Sequence, residues 1–181
     1  RMVDRMLDLT RIRKLCLNKV NIHKILEEII LLEKESLGKK KGRFVQVYDP
    51  SLPPIDIDED QIKQVFINLI QNAIDALPKE GGEIRVLTRI TADHMLKLAP
   101  NLSTRSILVE IKDTGSGIAE ENLNKLFTPF FTTKPKGNGL GLPLSLKIIE
   151  DHQGKIKVLS EKNVGTTMQV FIPIQQSPVT A

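Results

Sequence analysis

The sequence contains few of the residues that disulfides, metal centres and nucleic-acid surfaces require. Its 181 residues include one cysteine, Cys16, so no disulfide can form within the chain, and a reducing, cytoplasmic compartment is expected. No group of cysteines and histidines has the spacing of a metal site. With one tyrosine and no tryptophan, few rings are available for base stacking, and we expect no binding of nucleic acid. No apolar run approaches the roughly 18 residues that a membrane span requires.

What remains is the composition of an ordinary globular domain. Hydrophobic residues make up 40% of the chain and charged residues 27%, with a net charge of +4. Charges of both signs are interspersed, and the run Lys39-Lys40-Lys41 is interpreted as the solvated end of a helix. The chain begins at Arg1 within a helical pattern. We therefore expect the natural protein to continue N-terminally, and a membrane tether, if the full-length protein has one, to lie in that part.

Hydrophobic periodicity predicts helices and strands that do not alternate strictly along the chain. Helices are predicted over Arg1–Leu17, from the cap residue Asn21 to about Lys39, over Asp60–Leu77, around Glu120–Phe127 and over Leu142–His152. Strands are predicted over 43–48, 83–90, 106–113, 155–161 and 166–173, with a proline-rich connector at 49–58 and a long hairpin connection at 91–105. This order predicts an α+β fold, a two-layer α/β sandwich in which helices cover one face of a mixed sheet of about five strands.

The helix predicted over Asp60–Leu77 carries an unusual polar flank beside its apolar stripe. Asparagine is a mediocre helix former, so helix propensity does not explain why Asn68 and Asn72 lie one turn apart. The polar rim of a buried helix would account for them. A hard oxygen ligand for Mg²⁺, which takes few ligands from protein, would account for them equally well. The residues that gather along this flank are Gln61, Gln64, Asn68, Asn72 and Asp75.

Three loop-like segments follow in the second half of the chain. The first, 113-DTGSGI-118, begins at the end of a predicted strand. It is either a common turn or a binding segment, in which the Asp113 carboxylate accepts a hydrogen bond from an adenine amine and the glycines let a flat ring approach the backbone. The second, 126-LFTPFFTTK-134, holds three of the six phenylalanines without regular periodicity, which is typical of a pinned loop or a lid.

The third segment, 137-GNGLGL-142, places three glycines directly before a predicted helix. Glycine costs about 0.5–1 kcal/mol relative to alanine in regular structure, so such a cluster requires a reason. A tight loop is one reason. A phosphate that must touch bare backbone N–H groups at a helix N-terminus is another.

In their order and spacing, Asn68/Asn72, 113-DTGSGI-118, 127-FTPFFTTK-134 and 137-GNGLGL-142 resemble the N, G1, F and G2 boxes of sensor histidine kinases. The chain is similar, from about residue 18 to 173, to their ATP-binding catalytic domain, whose Bergerat fold is shared with gyrase B, Hsp90 and MutL. The phrases 48-YDPSLPPIDIDEDQIKQV-65 and 132-TTKPKG-137 resemble nitrogen-regulation kinases of the NtrB type.

This resemblance implies a division of the chain and a pair of cofactors. Residues 1–17 would be the end of a dimerisation helix, and residues 18–178 the catalytic domain. A loop lid at about 119–139 would cover the nucleotide. The cofactors would be ATP and Mg²⁺.

The resemblance also implies roles at the phosphate end of the site. Asn72 would be the Mg²⁺ ligand, and Asn68, one turn earlier, would lie near the phosphates. Lys134 or Lys136 would supply the phosphate-binding cation, so that Asn68 and Lys134 are the residues expected to act in the transfer. Further positions expected to contact the nucleotide are Asp75, Ile118, Phe127, Thr133, Gly137, Gly139, Leu140 and Gly141.

At the base end, the same resemblance assigns Asp113 to the adenine amine, with Gly115 and Gly117 beside the ring. A threonine hydroxyl from 165-GTT-167 would help to hold the base. Thr166 and Thr167 both satisfy this expectation, and the sequence does not choose between them.

None of the three histidines has the context of the family's phosphoacceptor. His23 is followed by lysine where an acid is expected, His94 lies in the hairpin connection, and His152 ends a helix and is interpreted as structural. We therefore expect the acceptor on a dimerisation module outside this chain, in a homodimeric full-length protein. The phosphate would pass to the receiver domain of a response regulator, and a PII-like signalling protein is considered as a further partner.

Position 68 separates a kinase from an ATPase. Relatives that hydrolyse ATP place a glutamate four residues before the Mg²⁺-binding asparagine, whereas Asn68 has no lone pair basic enough to take a proton from water. The sequence therefore predicts transfer to a histidine. The alternatives are an ATPase-type switch, as in MutL, gyrase B or Hsp90, and a non-catalytic nucleotide-sensing or nucleic-acid-binding module, which would require a basic groove with exposed aromatics.

Overall fold

The computed structural model describes residues 15–93, 104–135 and 137–174. In these ranges the helices are α1 (Ile22–Lys39), α2 (Glu59–Ala76), α3 (Glu120–Leu123) and α4 (Gly141–Asp151). The strands are β1 (Asn18–Val20), β2 (Gly42–Val47), β3 (Ile55–Ile57), β4 (Gly82–Asp93), β5 (Thr104–Asp113), β6 (Lys155–Glu161) and β7 (Gly165–Pro173). Within the described ranges, no helix is both long and apolar enough to cross a bilayer.

Five strands form one mixed sheet in the order β2-β4-β5-β7-β6. Strand β2 runs parallel to β4, and the other neighbours are antiparallel. The register of β5 and β7 places Asp113 opposite Thr166, which brings the end of β5 beside the start of β7. The predicted α+β architecture, with a mixed five-stranded sheet and helices on one face, is confirmed.

Helix α2 is the central element of the helical layer. It packs between α1 and α4 and against β5 and β7. Burying each large apolar side chain of its stripe contributes about 1.5–3 kcal/mol, so this stripe holds the helix on the sheet. The buried residues of α2 are Ile62, Val65, Phe66, Leu69, Ile70, Ala73 and Ile74.

Local capping explains where the long helices begin and end. The Asn21 side chain accepts from the His23 N–H and starts α1, as predicted. Asp58 caps α2 in the same way through the Gln61 N–H. At the other end of α2, the Lys40 ammonium donates to the Leu77 carbonyl at 3.0 Å, so this lysine caps a neighbouring helix as well as ending its own.

Two parts of the first half differ from the predicted elements. The proline-rich connector contains β3, which pairs antiparallel with β1, and Ile55 and Ile57 are fully buried. Three-residue strands are too short to show an alternating pattern, so the sequence did not reveal them. The first 14 residues of the helix predicted over Arg1–Leu17 lie outside the described ranges, and residues 15–17 are irregular rather than helical.

The second half differs in one element and leaves one untested. The helix predicted around Glu120–Phe127 is the single turn of α3, because the chain turns away at Asn124 and buries Leu126. The hairpin connection, with His94, falls largely outside the described ranges.

His152 joins the end of α4 to the start of α2 and is fully buried. Its Nε2 accepts from the Asp58 N–H at 3.0 Å, so its Nδ1 carries the proton and donates to the Ile148 carbonyl at 2.7 Å. Both ring nitrogens are thus used in a structural contact, in agreement with the sequence interpretation. Burial lowers the pKa of His152 because a buried imidazolium loses its hydration.

We expect His152 to make stability depend on pH. Because its folded-state pKa is depressed, the unfolded chain binds more protons below about pH 6.5, and the free energy of unfolding should fall as pH decreases from 7 towards 5. The slope should reach at most about 1.4 kcal/mol per pH unit for this one group. His152→Gln, which keeps a donor and an acceptor but does not titrate, should flatten the slope measured by urea denaturation.

The control is His23→Gln. His23 is partly buried and stacks on Tyr48, and nearby carboxylates oppose the lowering of its pKa by burial. This variant should retain most of the slope. A His152→Gln slope equal to that of the wild type would contradict the assignment.

Candidate functional site

Helix α2, mainly through its polar flank, contacts all three of the loop-like segments that the sequence marked as part of a site. Asn68 contacts the start of α4, Asn72 and Asp75 contact the loop at Lys134, and Ala76 contacts the glycine loop after β5. These contacts join residues up to 77 positions apart. One face of a single helix therefore assembles the candidate site.

The N-terminus of α4 lies directly against Asn68. The Asn68 Nδ2 donates to the buried Ser145 Oγ at 2.9 Å, and a Cβ on Gly141 would collide with Asn68 Oδ1. No side chain caps α4, and its first turn holds no acidic residue. The first N–H groups of α4 are therefore available to an anion, and the helix dipole favours one there.

Lys134 binds two side-chain oxygens at the C-terminal end of the flank. Its Nζ donates to Asn72 Oδ1 and to Asp75 Oδ2, each at 2.7 Å. The pair with Asp75 is well exposed, so it contributes only about 0–1 kcal/mol to stability and exchanges easily. Two hard oxygens already bind a cation at this point, and Mg²⁺ takes such oxygens and completes its shell with water and phosphate. The donor set fits that ion.

The loop predicted as a lid is folded back on itself and attached at both ends. The Phe130 N–H donates to the Gly139 carbonyl at 2.9 Å, and both residues adopt left-handed backbone angles. Side chains near each end reach the core, since Phe127 packs against it and Leu140 is fully buried. Between these ends, Phe130 is 54% exposed. The segment thus has fixed ends and an open middle.

Other residues expected in this loop lie close to Lys134. The Gly137 N–H donates to the Lys134 carbonyl at 3.1 Å, and Thr133 is exposed. Lys136 lies outside the described ranges. Of the two lysines considered for the phosphate, Lys134 is thus the one whose position is described.

Asp113 forms the opposite end of the site and is buried at the end of β5. Its Oδ1 accepts from the Gly115 N–H at 2.8 Å and from the Thr166 N–H at 3.3 Å. All the hydrogen bonds that it makes to described residues go to this oxygen, so Oδ2 remains for an external donor. Burial raises the pKa of Asp113, and the two backbone donors partly oppose that rise.

The glycine loop after Asp113 is pressed between α2 and the β6–β7 turn. The Ser116 N–H donates to the Ala76 carbonyl at 3.0 Å, and a Cβ on Gly115 would lie 2.6 Å from the same oxygen. Gly117 has a φ of 62°, which side chains rarely tolerate. The Ile118 N–H donates to Ser160 Oγ at 2.9 Å. Bare backbone therefore lies next to Asp113.

The structure distinguishes Thr166 from Thr167, between which the sequence did not choose, by their positions relative to Asp113. Thr166 is buried opposite Asp113, with its N–H on the carboxylate. Because side chains alternate along a strand, Thr167 lies on the other face of β7. Its expected contact with the base is therefore not supported by its placement.

Two serines that bind the expected site residues were missed in the sequence. Ser145 is a buried polar residue in the otherwise apolar first half of α4, which was a usable signal. Ser160 lies opposite Thr166 in the β6–β7 pairing and bonds to its hydroxyl at 2.8 Å. Nothing in the local sequence of β6 distinguishes this serine from a solvent-facing strand residue.

The described side chains divide chemically into three groups. Asp113 supplies an acceptor, Asn72 and Asp75 supply oxygens for a cation, and α4 supplies backbone donors for an anion. A base bearing an amine, a hydrated cation and phosphate groups match these three in turn.

A family model for histidine kinase-, DNA gyrase B- and HSP90-like ATPases matches residues 57–176. The sensory histidine kinase/phosphatase NtrB of Azospirillum brasilense is 39% identical over 177 residues, which are 96% of this chain. This chain spans 43% of the length of that relative.

Solved structures agree with this similarity. A nucleotide-free form of the catalytic domain of histidine kinase ThkA is 33% identical with a TM-score of 0.72, and the match covers 87% of this chain and 95% of that one. A structure of ThkA in complex with the response regulator protein TrrA is 31% identical with a TM-score of 0.75, and the match covers 96% of this chain and 46% of that one.

The contact between Gly141 and Asn68 predicts a cost for any side chain at Gly141. Gly141→Ala should displace the Asn68 amide and break its bond to Ser145, lowering the free energy of unfolding by about 1–3 kcal/mol. Gly38→Ala, in α1 with no atom within 4 Å of the new Cβ, is the matched control and should stabilise by about 0.4–1 kcal/mol. Urea denaturation measures both.

A double-mutant cycle tests the named partner. Adding Asn68→Ala should make Gly141→Ala less costly, because the clashing oxygen is gone. Strict additivity of the two changes would show that Gly141 clashes with something else.

Proposed function

The chain belongs to the family of histidine kinase-, DNA gyrase B- and HSP90-like ATPases, and we propose that it transfers the γ-phosphoryl group of ATP to a histidine. That histidine lies on a dimerisation module, and the phosphate then passes to an aspartate of a response regulator. The observation that carries this proposal is the arrangement along α2. Asn72 and Asp75, whose oxygens bind a cation, lie one to two turns of α2 after Asn68. The Asn68 side chain in turn contacts the uncapped N-terminus of α4.

The phosphate end would work by positioning and charge neutralisation, which is most of what phosphoryl transfer requires. Asn72, with Asp75, would hold Mg²⁺, and the bound ion would neutralise charge on the phosphates. The N–H groups at the start of α4 would bind phosphate oxygens. Lys134 would exchange the Asn72 oxygen for a phosphate oxygen, a short movement for an exposed side chain.

Asn68 supports transfer rather than hydrolysis. Its Nδ2 is committed to Ser145, and its Oδ1 faces Gly141 at the start of α4. An amide in this position cannot remove a proton from water. The nucleophile would therefore have to come from outside the domain, as a histidine ring.

The base end would recognise adenine through Asp113. Its Oδ1 is occupied by two backbone donors, so Oδ2 would accept from the exocyclic amine. The glycines that follow would let the ring approach the backbone.

The partners of the full-length protein belong to the same proposal. The relative NtrB is more than twice the length of the matched region, which leaves space for a dimerisation module in a homodimer. Residues 1–17 would be the end of that module. The ThkA structure with a response regulator supports a receiver domain as phosphate acceptor, and the similarity to NtrB supports a nitrogen-regulation pathway. A PII-like signalling protein is proposed as a further partner from the sequence resemblance alone.

The metal ligand is tested by Asn72→Ala. Loss of the Asn72 oxygen should remove the Mg²⁺-dependent part of ATP binding and largely spare metal-free binding, since the base contact is untouched. Calorimetry with Mg²⁺ and with EDTA measures both parts. Gln64→Ala, an exposed amide on the same helix, is the control and should change neither. Equal losses of affinity in the two conditions would contradict the metal-ligand role.

Incubation with γ-labelled ATP tests the reaction. The chain alone should neither label itself nor release phosphate at an appreciable rate, because it offers no acceptor histidine in context and no base at Asn68. Adding a separate dimerisation module with its acceptor histidine should give slow transfer, because untethered parts lose the effective concentration of a linked pair. Rapid hydrolysis by the chain alone would favour an ATPase, and an acid-labile label on His23 would show a different acceptor.

A further inference from the structure

Ser160 makes three hydrogen bonds with one hydroxyl group. Its Oγ lies 2.9 Å from the Ile118 nitrogen, 3.0 Å from the Gly165 carbonyl oxygen and 2.8 Å from Thr166 Oγ1. These contacts connect β6 with the glycine loop after Asp113 and with the start of β7. Ser160 therefore contacts the residues that surround Asp113 without contacting the carboxylate itself.

The directions of these three bonds follow from counting protons. A serine hydroxyl has one proton to donate and two lone pairs to accept with. The Gly165 carbonyl can only accept, so Ser160 donates its proton there. The Ile118 N–H can only donate, so it takes one lone pair of Ser160. The remaining lone pair must then accept from Thr166, which makes Thr166 the donor in the contact between the two hydroxyls.

This assignment leaves Thr166 without a proton for a ligand. Its hydroxyl proton points to Ser160, and its oxygen keeps only acceptor capacity towards the site. The neighbouring group is also an acceptor, because the Asp113 carboxylate has its Oδ1 on two backbone N–H groups and Oδ2 remaining. The side chains of Thr166 and Asp113 can therefore only accept hydrogen bonds from a ligand at the base end.

We propose that Ser160 is a specificity-determining positioning residue, which holds the Thr166 proton so that the base end presents acceptors only. Such a surface favours a purine with an amine at position 6, which has two N–H groups to donate. It disfavours a purine with a carbonyl there, whose oxygen would face acceptor oxygens. The inference rests on the proposed binding of ATP at this site.

A purely structural role for Ser160 makes a different prediction. As a staple of the β6–β7 turn, the serine would affect all nucleotides alike, because loosening the turn weakens any contact with the base. If Ser160 instead holds the Thr166 hydroxyl proton, the role of a proton anchor, replacing it changes the ratio of the affinities for a 6-amino and a 6-oxo nucleotide. This ratio is therefore the quantity to measure.

The experiment compares ATP with inosine triphosphate, which carries the same sugar and phosphates but has a carbonyl in place of the amine at position 6 and, with it, a proton on N1. Calorimetry on the wild-type chain should show a preference for ATP. In Ser160→Ala the Thr166 proton is released and can turn to the inosine carbonyl, so the preference should fall about five- to tenfold, the effect of one hydrogen bond. Ser160→Thr keeps the hydroxyl and should restore the preference.

The matched control is Ser106→Ala. Ser106 is a fully buried serine of β5, whose Oγ has no hydrogen-bond partner among the described residues. Removing this hydroxyl should leave the ratio unchanged. Thr166→Val and Thr166→Ser provide a second test should Ser160→Ala fold poorly, because valine removes the acceptor and should lower the preference while serine keeps it.

Each outcome bears on a separate statement. If Ser160→Ala lowers the affinities for ATP and for inosine triphosphate by the same factor, the role of Ser160 in holding the Thr166 proton is overturned, whereas the proposal that the chain binds ATP still stands. The same is true of a Thr166→Val variant that keeps the full preference. A wild-type chain that binds neither nucleotide would overturn the proposed function itself, and with it this inference.

Discussion

The burial of one face of α2 determines where each polar residue of the site lies. Ile62, Phe66 and Ile70 are fully buried, and a helix with such a stripe cannot rotate about its axis without exposing it. Each of these side chains contributes about 1.5–3 kcal/mol, whereas the exposed pair of Lys134 and Asp75 contributes about 0–1 kcal/mol. Apolar packing therefore positions the polar flank, and the polar contacts on it are free to exchange.

The two ends of the site differ in rigidity for the same physical reason. At the proposed base end, Asp113 and Thr166 are buried, and the Asp113 carboxylate accepts from the Gly115 N–H in the loop after β5 and from the Thr166 N–H in β7. Breaking such bonds leaves buried polar groups unpaired, at a cost of about 1–3 kcal/mol each. At the proposed phosphate end, the side chains of Lys134 and Asp75 are well exposed, so water replaces a lost contact. A ligand would thus find a preformed base site and an adaptable phosphate site.

Several elements and residues could be predicted from the sequence because they depend on near neighbours. The stripe of α2, the caps at Asn21 and the strands of the β6–β7 hairpin follow from spacing of a few residues. The pairing of β1 with β3 could not be predicted in this way, because three-residue strands carry no period. The helix α3 was predicted to be longer than it is, because burial of Leu126 by the fold outweighed a weak helical pattern.

The sequence by itself determined the family, the order of the longer helices and strands, and the boxes expected to hold the ligands, since these are properties of residue type and local spacing. The tertiary structure alone decided that Thr166 rather than Thr167 faces Asp113, that Lys134 binds Asn72 and Asp75, and that Ser160 bonds to Ile118. The latter two contacts join residues 42 to 62 positions apart. Strand register and helix packing set the partners over such separations, and both arise from the burial of apolar surface across the whole domain, which no local stretch of sequence contains.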